Sequence, residues 1–167
     1  MKSKCLYIHG LDSMPSEDKL EKIKKYSEVF ALHIDYRNEP NAFKILSASI
    51  EENSITDIIG SSMGGYLGFW LSLKHNIPCL LFNPALSARS INMDVEVVLD
   101  NTPKQIIILG EKDNTIDPNS TIIFLKEKFF EHSIKEIIIN SAMEHRIDIS
   151  NFEKYTSYYF ESKKFDR

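Results

Sequence analysis

Short apolar runs alternate with longer segments of helical periodicity along the chain, and this alternation constrains the fold more than any other feature. The runs are rich in Ile, Leu and Val, and each is followed by a longer stretch with helical spacing, which is typical of βα units. Six strands are predicted: Cys5–Ile8, Leu32–Tyr36, Thr56–Ile59, Pro78–Phe82, Lys104–Leu109 and Glu136–Ile139. The chain should therefore form a mostly parallel, six-stranded sheet.

Five helices are predicted around these strands: Glu17–Phe30, a segment with Phe43, Leu46 and Ile50, Met63–Lys74, Pro118–Glu131, and a closing helix with Phe152, Tyr155 and Tyr159 on one face. The closing helix should begin near Ser150, because Ser150 and Glu153 have the spacing of a capping box. Residues 85–103 are predicted as a loop with a short helix at Val95–Asp100. The expected architecture is a three-layer α/β/α sandwich with sheet order 2-1-3-4-5-6.

Length, composition and charge are those of an ordinary globular protein. The chain has 167 residues, 43% hydrophobic and 26% charged, which predicts one domain over residues 1–167. The net charge is −4 with no block of like charge, so neither nucleic acid nor a membrane surface is an expected partner.

The apolar segments also bear on where the protein resides. None of them approaches the roughly 20 residues of a membrane-spanning helix, and the N-terminal apolar run is too short for a signal peptide. Cys5 and Cys79 lie in predicted strands, where a thiol is usually a small buried hydrophobe. We therefore expect a soluble, cytoplasmic protein.

The segment Gly60-Ser61-Ser62-Met63-Gly64 follows a predicted strand and precedes a predicted helix. A Gly-x-Ser-x-Gly sequence in this context is typical of a nucleophile elbow, in which glycines relieve the crowding around a strained serine. The N–H of Met63 would point at an oxyanion formed on attack by Ser62. Ser62 is the predicted nucleophile; the alternative is a glycine-rich turn that only packs or binds an anion.

Partners for this serine are predicted at the ends of later strands, in the chain order nucleophile, acid, histidine. After the fifth strand, Asp113 is the preferred acid, since a carboxylate there would orient an imidazole. Asp117 is the alternative acid, although its position before Pro118 is typical of a helix N-cap. After the sixth strand, His145 is the predicted general base, able to take the serine proton near neutral pH.

The first predicted strand ends in His9-Gly10-Leu11, at the place where a second oxyanion donor is found in α/β-hydrolases. The predicted oxyanion hole therefore consists of the N–H groups of Leu11 and Met63. Gly10 would let this loop bend toward a substrate carbonyl, and His9 is predicted to support the loop rather than to react.

Four segments together resemble the small bacterial esterases of the YqiA type, within the α/β-hydrolase superfamily: Leu6–Ser13, Ile59–Tyr66, Asn83–Ala85 and Glu144–Arg146. The resemblance spans nearly the whole chain. It implies a hydrolase of carboxylic esters or thioesters in which Ser62, an aspartate and His145 form the catalytic triad. The expected fold is then a trimmed α/β-hydrolase without a substantial cap domain.

The predicted reaction transfers an acyl group to Ser62 and then to water, with a small-molecule acyl ester or thioester as substrate and no metal or cofactor. Two alternatives stay open. A peptidase would use the same triad, and a non-catalytic binding protein would keep the fold while the serine served packing or partner recognition.

Overall fold

A computed structural model of the chain describes residues 3–129 and 135–163, which contain a six-stranded sheet. Its strands are β1 (Ser3–Ile8), β2 (Ser27–Ala31), β3 (Asp57–Ser61), β4 (Cys79–Phe82), β5 (Gln105–Gly110) and β6 (Lys135–Asn140). Their spatial order is β2-β1-β3-β4-β5-β6, and every neighbouring pair is parallel. The predicted strand order is confirmed.

Helices connect all consecutive strands except β4 and β5, which a non-helical segment joins, and a closing helix follows β6. They cover both faces of the sheet: α1 (Glu17–Lys24), α2 (Ala42–Asn53), α3 (Met63–His75), α4 (Pro118–Phe129) and α5 (Ile149–Ser162). Alternate residues of each strand point to opposite faces, so Leu6 packs with α2 and α3 while Tyr7 packs with α1 and α5. The three-layer α/β/α sandwich is confirmed, without a cap domain among the described residues. None of the described helices is both long and apolar enough to cross a membrane.

The second strand lies earlier than predicted. Ser27–Ala31 form β2, whereas the prediction assigned Ser27–Phe30 to a helix and placed the strand at Leu32–Tyr36. Helix α1 instead ends at Lys24, and Val29 and Phe30 pair in register with β1. The prediction was wrong because helical spacing in a short segment does not exclude a strand, which β-branched and aromatic residues favour.

Two further local predictions were wrong. Val95–Asp100 form no helix; Met93, Val95 and Val97 pack inward between exposed Asp94 and Glu96, with the alternation of an extended chain. The N-cap of α5 is Asp148 rather than Ser150, and its carboxylate accepts a hydrogen bond from the N–H of Asn151 at 2.8 Å.

The predicted end of the fourth helix at Glu131 lies outside the described residues. The same is true of His132, which the sequence places just past that helix.

Helix α5 is fixed to the amino end of β3, the edge of the sheet away from the candidate site. Asp57 is fully buried there and accepts a hydrogen bond from the Tyr159 hydroxyl at 2.7 Å, while Lys163 forms an ion pair with the same carboxylate. Cys5 and Cys79 are buried cysteines of β1 and β4 that form no disulfide with each other, and burial raises the pKa of Cys5. The polar side chains at the opposite, carboxyl edge therefore stand apart from this structural cluster.

Candidate active site

The turn between β3 and α3 holds Ser62 in an unusual backbone conformation, with φ of 53° and ψ of −115°. Such a positive φ is uncommon for a residue with a side chain, and it is retained only where the surroundings enforce it. Two glycines permit the packing: a Cβ at Gly60 would lie 2.4 Å from the carbonyl oxygen of Gly64, and one at Gly64 would lie 2.1 Å from that of Ile8. Close contact of α3 with β3 thus needs glycine at position 60, and its close contact with the end of β1 needs glycine at position 64.

Backbone hydrogen bonds fix Ser62 from both sides. Its N–H donates to the carbonyl of Phe82 at 3.0 Å, and its own carbonyl accepts from the N–H groups of Tyr66 at 2.9 Å and Ala85 at 3.0 Å. The turn is thereby tied to the end of β4 and to the first turn of α3. These bonds hold the backbone of Ser62, and therefore the start of its side chain, at the carboxyl edge of the sheet.

The side chains of Ser62, His145 and Asp113 form a continuous hydrogen-bonded chain. The Nε2 atom of His145 lies 3.0 Å from the hydroxyl oxygen of Ser62, and its Nδ1 atom lies 2.7 Å from Oδ2 of Asp113. A carboxylate can only accept hydrogen bonds, so Nδ1 of His145 carries the ring proton. Nε2 is then unprotonated and accepts a hydrogen bond from the serine hydroxyl. This arrangement prepares Nε2 to remove the hydroxyl proton.

Asp113 is held as a hydrogen-bond acceptor. Its side chain is fully buried, and its Oδ1 accepts the N–H groups of Thr115 and Ile116, each at 2.8 Å. Buried carboxylates need such partners, because a charge without them is costly to remove from water. With Oδ1 occupied in this way, Oδ2 is directed to the imidazole of His145.

Asp117, the alternative acid, has a different environment. It accepts hydrogen bonds from the N–H of Ser120 at 3.0 Å and from its hydroxyl at 2.6 Å, immediately before α4. The hydroxyl bond is the main reason that the pKa of Asp117 lies below its ordinary value. Among the described residues, Asp113 is the carboxylate that contacts His145, and Asp117 serves as a helix cap.

Asn83 joins the ends of β4, β5 and β6 beside this cluster, a role that the sequence analysis missed. It follows β4, and its Nδ2 donates to the carbonyls of Glu144 at 2.9 Å and His145 at 3.1 Å. Its Oδ1 accepts the N–H of Gly110 at the end of β5 at 2.7 Å. The sequence does show a polar residue directly after a buried strand, which could have marked Asn83 as a candidate. Its hydrogen-bond partners, however, are more than 25 positions away along the chain.

The loop after β1 approaches Ser62 from the other side. His9 is buried; its Nδ1 donates to the carbonyl of Gly10 at 2.8 Å, and its Nε2 accepts the N–H of Ile34 at 3.0 Å. The hydroxyl of Tyr36 donates to the carbonyl of His9 at 2.8 Å. Burial lowers the pKa of His9, so this ring is a neutral support for the loop.

The two predicted oxyanion donors belong to backbone segments next to Ser62. Met63 begins α3, and its N–H is one of the first-turn amides that have no acceptor inside a helix. Gly10 passes so close to Ser62 that a Cβ on it would lie 3.5 Å from the Cβ of the serine, and Leu11 follows directly. The backbone of both segments is thus available beside the hydroxyl.

Ser62 and His145 open into a cleft of about 430 Å³, called the Ser62 cleft below. It lies between the loop after β1, the start of α1 and the loop after β6, and is lined by residues 10–14, Tyr7, Ser16, Lys19, Ser61, Ser62 and residues 145–147. In the part of the chain that the structure describes, no group of three or more His, Cys, Asp or Glu is placed to hold a metal ion.

Solved structures share this architecture at low sequence identity. One is MGS-MChE2, an alpha/beta hydrolase enzyme from a sediment metagenome of the Mar Chica lagoon, with TM-score 0.73, 11% identity and coverage of 100% of this chain and 93% of that one. Est1E from Butyrivibrio proteoclasticus has TM-score 0.69, 12% identity and coverage of 96% and 87%. A lidless alpha/beta serine hydrolase from Xanthomonas campestris has TM-score 0.66, 13% identity and coverage of 94% and 80%.

These likenesses define the class of the fold, which is that of the α/β hydrolases. A family profile described as uncharacterised protein family UPF0227 matches residues 4–96, more than half of the chain. The chain belongs to this family, the YqiA family, as its motifs predicted. No curated protein matches the sequence.

Proposed function

We propose that this protein is a serine hydrolase that cleaves carboxylic esters or thioesters through an acyl-enzyme formed on Ser62. The observation that carries the proposal is the hydrogen-bonded chain from Ser62 through His145 to Asp113, with distances of 3.0 and 2.7 Å. A nucleophile, a base and a group that orients the base are the components that acyl transfer through serine requires.

In the first half-reaction, Nε2 of His145 takes the hydroxyl proton while the oxygen of Ser62 attacks the acyl carbonyl. The carbonyl oxygen becomes an anion, which the N–H groups of Met63 and Leu11 stabilise. Asp113 stabilises the imidazolium and holds its orientation. When the tetrahedral intermediate collapses, Nε2 returns the proton to the departing alcohol or thiol, and the acyl group stays on Ser62.

In the second half-reaction, water replaces the leaving group. Nε2 of His145 removes a proton from water, the hydroxide attacks the acyl carbon, and the proton is returned to the oxygen of Ser62 as the carboxylic acid leaves. The strained turn at Ser62 supports both steps because it holds the serine oxygen in the same place throughout. None of these steps uses a metal or an organic cofactor.

The structural neighbours agree with this proposal. Proteins named as an esterase and as a lidless serine hydrolase share the fold. The Ser62 cleft is open at the strand ends, so a small ester can reach the hydroxyl directly.

The test is covalent labelling of the folded protein with a fluorophosphonate, read by intact mass and peptide mapping. Wild-type protein should gain one phosphonyl group on Ser62, and Ser62→Ala should gain none. Ser61→Ala is the matched control, because it removes the neighbouring hydroxyl and should still be labelled. Absence of labelling in folded wild type, or labelling that persists in Ser62→Ala, would overturn the proposal; p-nitrophenyl esters of increasing acyl length then define the acyl preference.

A further inference from the structure

Two cationic side chains line the Ser62 cleft together with the serine and His145. Lys19 is half-buried in the first turn of α1, and Arg146 is exposed directly after His145. Within residues 3–129 and 135–163, neither of them forms an ion pair with a carboxylate. The cleft therefore contains two positive charges that the described protein leaves uncompensated.

The environment of Lys19 is unusual for an ammonium group. Its Nζ lies 5.3 Å from the centre of the Phe152 ring, so an aromatic face rather than an anion accompanies it. Burial and then the charge of Arg146 lower the pKa of Lys19. An anion placed between the two cations would be attracted by both and would offset their mutual repulsion.

The acidic residue of the cleft does not supply that anion. Asp12 is bound at two points by Arg37, with Nε to Oδ1 at 2.7 Å and Nη2 to Oδ2 at 2.6 Å. This ion pair neutralises Asp12 locally. Ser16 also lines the cleft as the N-cap of α1, and its side chain makes no capping hydrogen bond, so it adds a hydroxyl donor near Lys19.

The position of Arg146 indicates which part of an ester meets these cations. His145 must return its proton to the departing oxygen or sulfur, so the leaving group has to face the imidazole. Arg146 is adjacent to that imidazole in the chain, and Lys19 lines the same cleft. Both cations thus line the cleft into which a leaving group that faces the imidazole would depart.

We propose that Lys19 and Arg146 bind a carboxylate or phosphate group on the leaving alcohol or thiol, and thereby make anionic esters the preferred substrates. This inference rests on the proposed function, because it names the substrate class of the same site. Charge-assisted hydrogen bonds from Lys and Arg are the interactions by which proteins recognise carboxylates and phosphates.

The test compares three butyrate esters that differ in the alcohol: O-butyrylglycolate, 2-(butyryloxy)ethyl phosphate and the neutral O-butyrylglycolamide. The measured quantity is the ratio of kcat/KM for each anionic ester to kcat/KM for the neutral ester. This ratio cancels general changes in activity. In Lys19→Gln and in Arg146→Gln this ratio should fall about tenfold, as expected for loss of a charged hydrogen bond. The two anionic esters show whether the carboxylate or the phosphate is bound better.

Three variants serve as controls. Lys44→Gln makes the same change of net charge at an exposed position of α2, outside the cleft, and should leave the ratio unchanged. Lys19→Arg and Arg146→Lys keep the positive charge and should keep most of the preference. All variants should still be labelled by the fluorophosphonate at Ser62.

The outcomes separate this inference from the proposed function. If wild-type Ser62 is labelled but the ratio is the same in wild type, Lys19→Gln and Arg146→Gln, the anion site is wrong and the hydrolase proposal stands. If the ratio falls equally in Lys44→Gln, only long-range charge is acting and the inference is overturned. Absent labelling of wild type overturns the hydrolase and, with it, the substrate class.

Discussion

The loops after β1 and β6 each bring a histidine to the carboxyl edge of the sheet, and the two rings are bonded in opposite ways. Both ring nitrogens of His9 bond backbone groups, the carbonyl of Gly10 and the N–H of Ile34, and the residue is buried. Both nitrogens of His145 bond side chains, Asp113 and Ser62, and its side chain is 24% exposed.

This difference shows that the partners of a histidine, rather than its place at a strand end, decide its chemistry. A backbone N–H does not give up its proton near neutral pH, so the ring of His9 is locked in one tautomer. A serine hydroxyl can lose its proton once a carbonyl is in reach, so the ring of His145 can exchange protons. The contrast leads to three predictions.

The largest expected effect is the loss of the base. His145→Ala should lower kcat for p-nitrophenyl butyrate by about 10⁴-fold or more, because His145 is the side chain that hydrogen bonds the Ser62 hydroxyl among the described residues. Circular dichroism should show an unchanged fold, since the side chain of His145 is partly exposed. A variant that keeps more than a tenth of wild-type kcat would contradict the role of His145.

A smaller loss is expected at the acid. Asp113→Asn should lower kcat by about 10³-fold, because an amide at this position can hold the imidazole in the wrong tautomer. Asp117→Asn is the matched control: asparagine still caps α4, so kcat should change by less than about threefold. Equal losses of kcat in both variants would not distinguish the two aspartates and would contradict the assignment of Asp113 as the acid.

The smallest effect is on stability and comes from His9. Because burial lowers its pKa, the folded protein keeps the ring neutral, whereas the unfolded chain binds a proton as the pH falls below about 6.5. The free energy of unfolding is therefore highest above this pH and should decrease as the pH falls toward the lowered pKa. Its slope from this group is at most about 1.4 kcal/mol per pH unit, the value for one proton.

Urea denaturation at a series of pH values measures this slope. His9→Gln should make the dependence of the unfolding free energy on pH less steep. His75→Gln is the variant for comparison, because burial also lowers the pKa of His75 on α3. Only His9→Gln should also reduce kcat, because His9 holds the loop that carries Leu11. An identical slope in wild type and His9→Gln would show that protonation of His9 does not oppose folding.

Much of this architecture could be predicted because the relevant signals are local. The β-rich runs and helical segments predict the order of the sheet, and the glycines around Ser62 predict the tight turn. Asp113 and His145 were candidates because polar residues after parallel strands meet at one edge. The structure brings both of them into the hydrogen-bonded chain with Ser62.

The remaining features depend on contacts between distant residues. The position of β2 is decided by its pairing with β1, which periodicity in Glu17–Phe30 does not reveal. The ring of His9 is fixed by the N–H of Ile34, which was assigned to a strand, and Asn83 acts through carbonyls of the loop after β6. None of these partners leaves a pattern in the neighbouring sequence.

The assembly of the site from separate strand ends has a consequence for the newly made chain. Ser62 and His145 are 83 positions apart, and His145 follows β6, which lies at the edge of the sheet and pairs with β5. A ribosome releases the turn at Ser62 well before the base, so the emerging polypeptide carries an unactivated hydroxyl. Under the proposed mechanism hydrolysis would begin only once β6 has paired with β5, so the first turnover would report that β6 is in place.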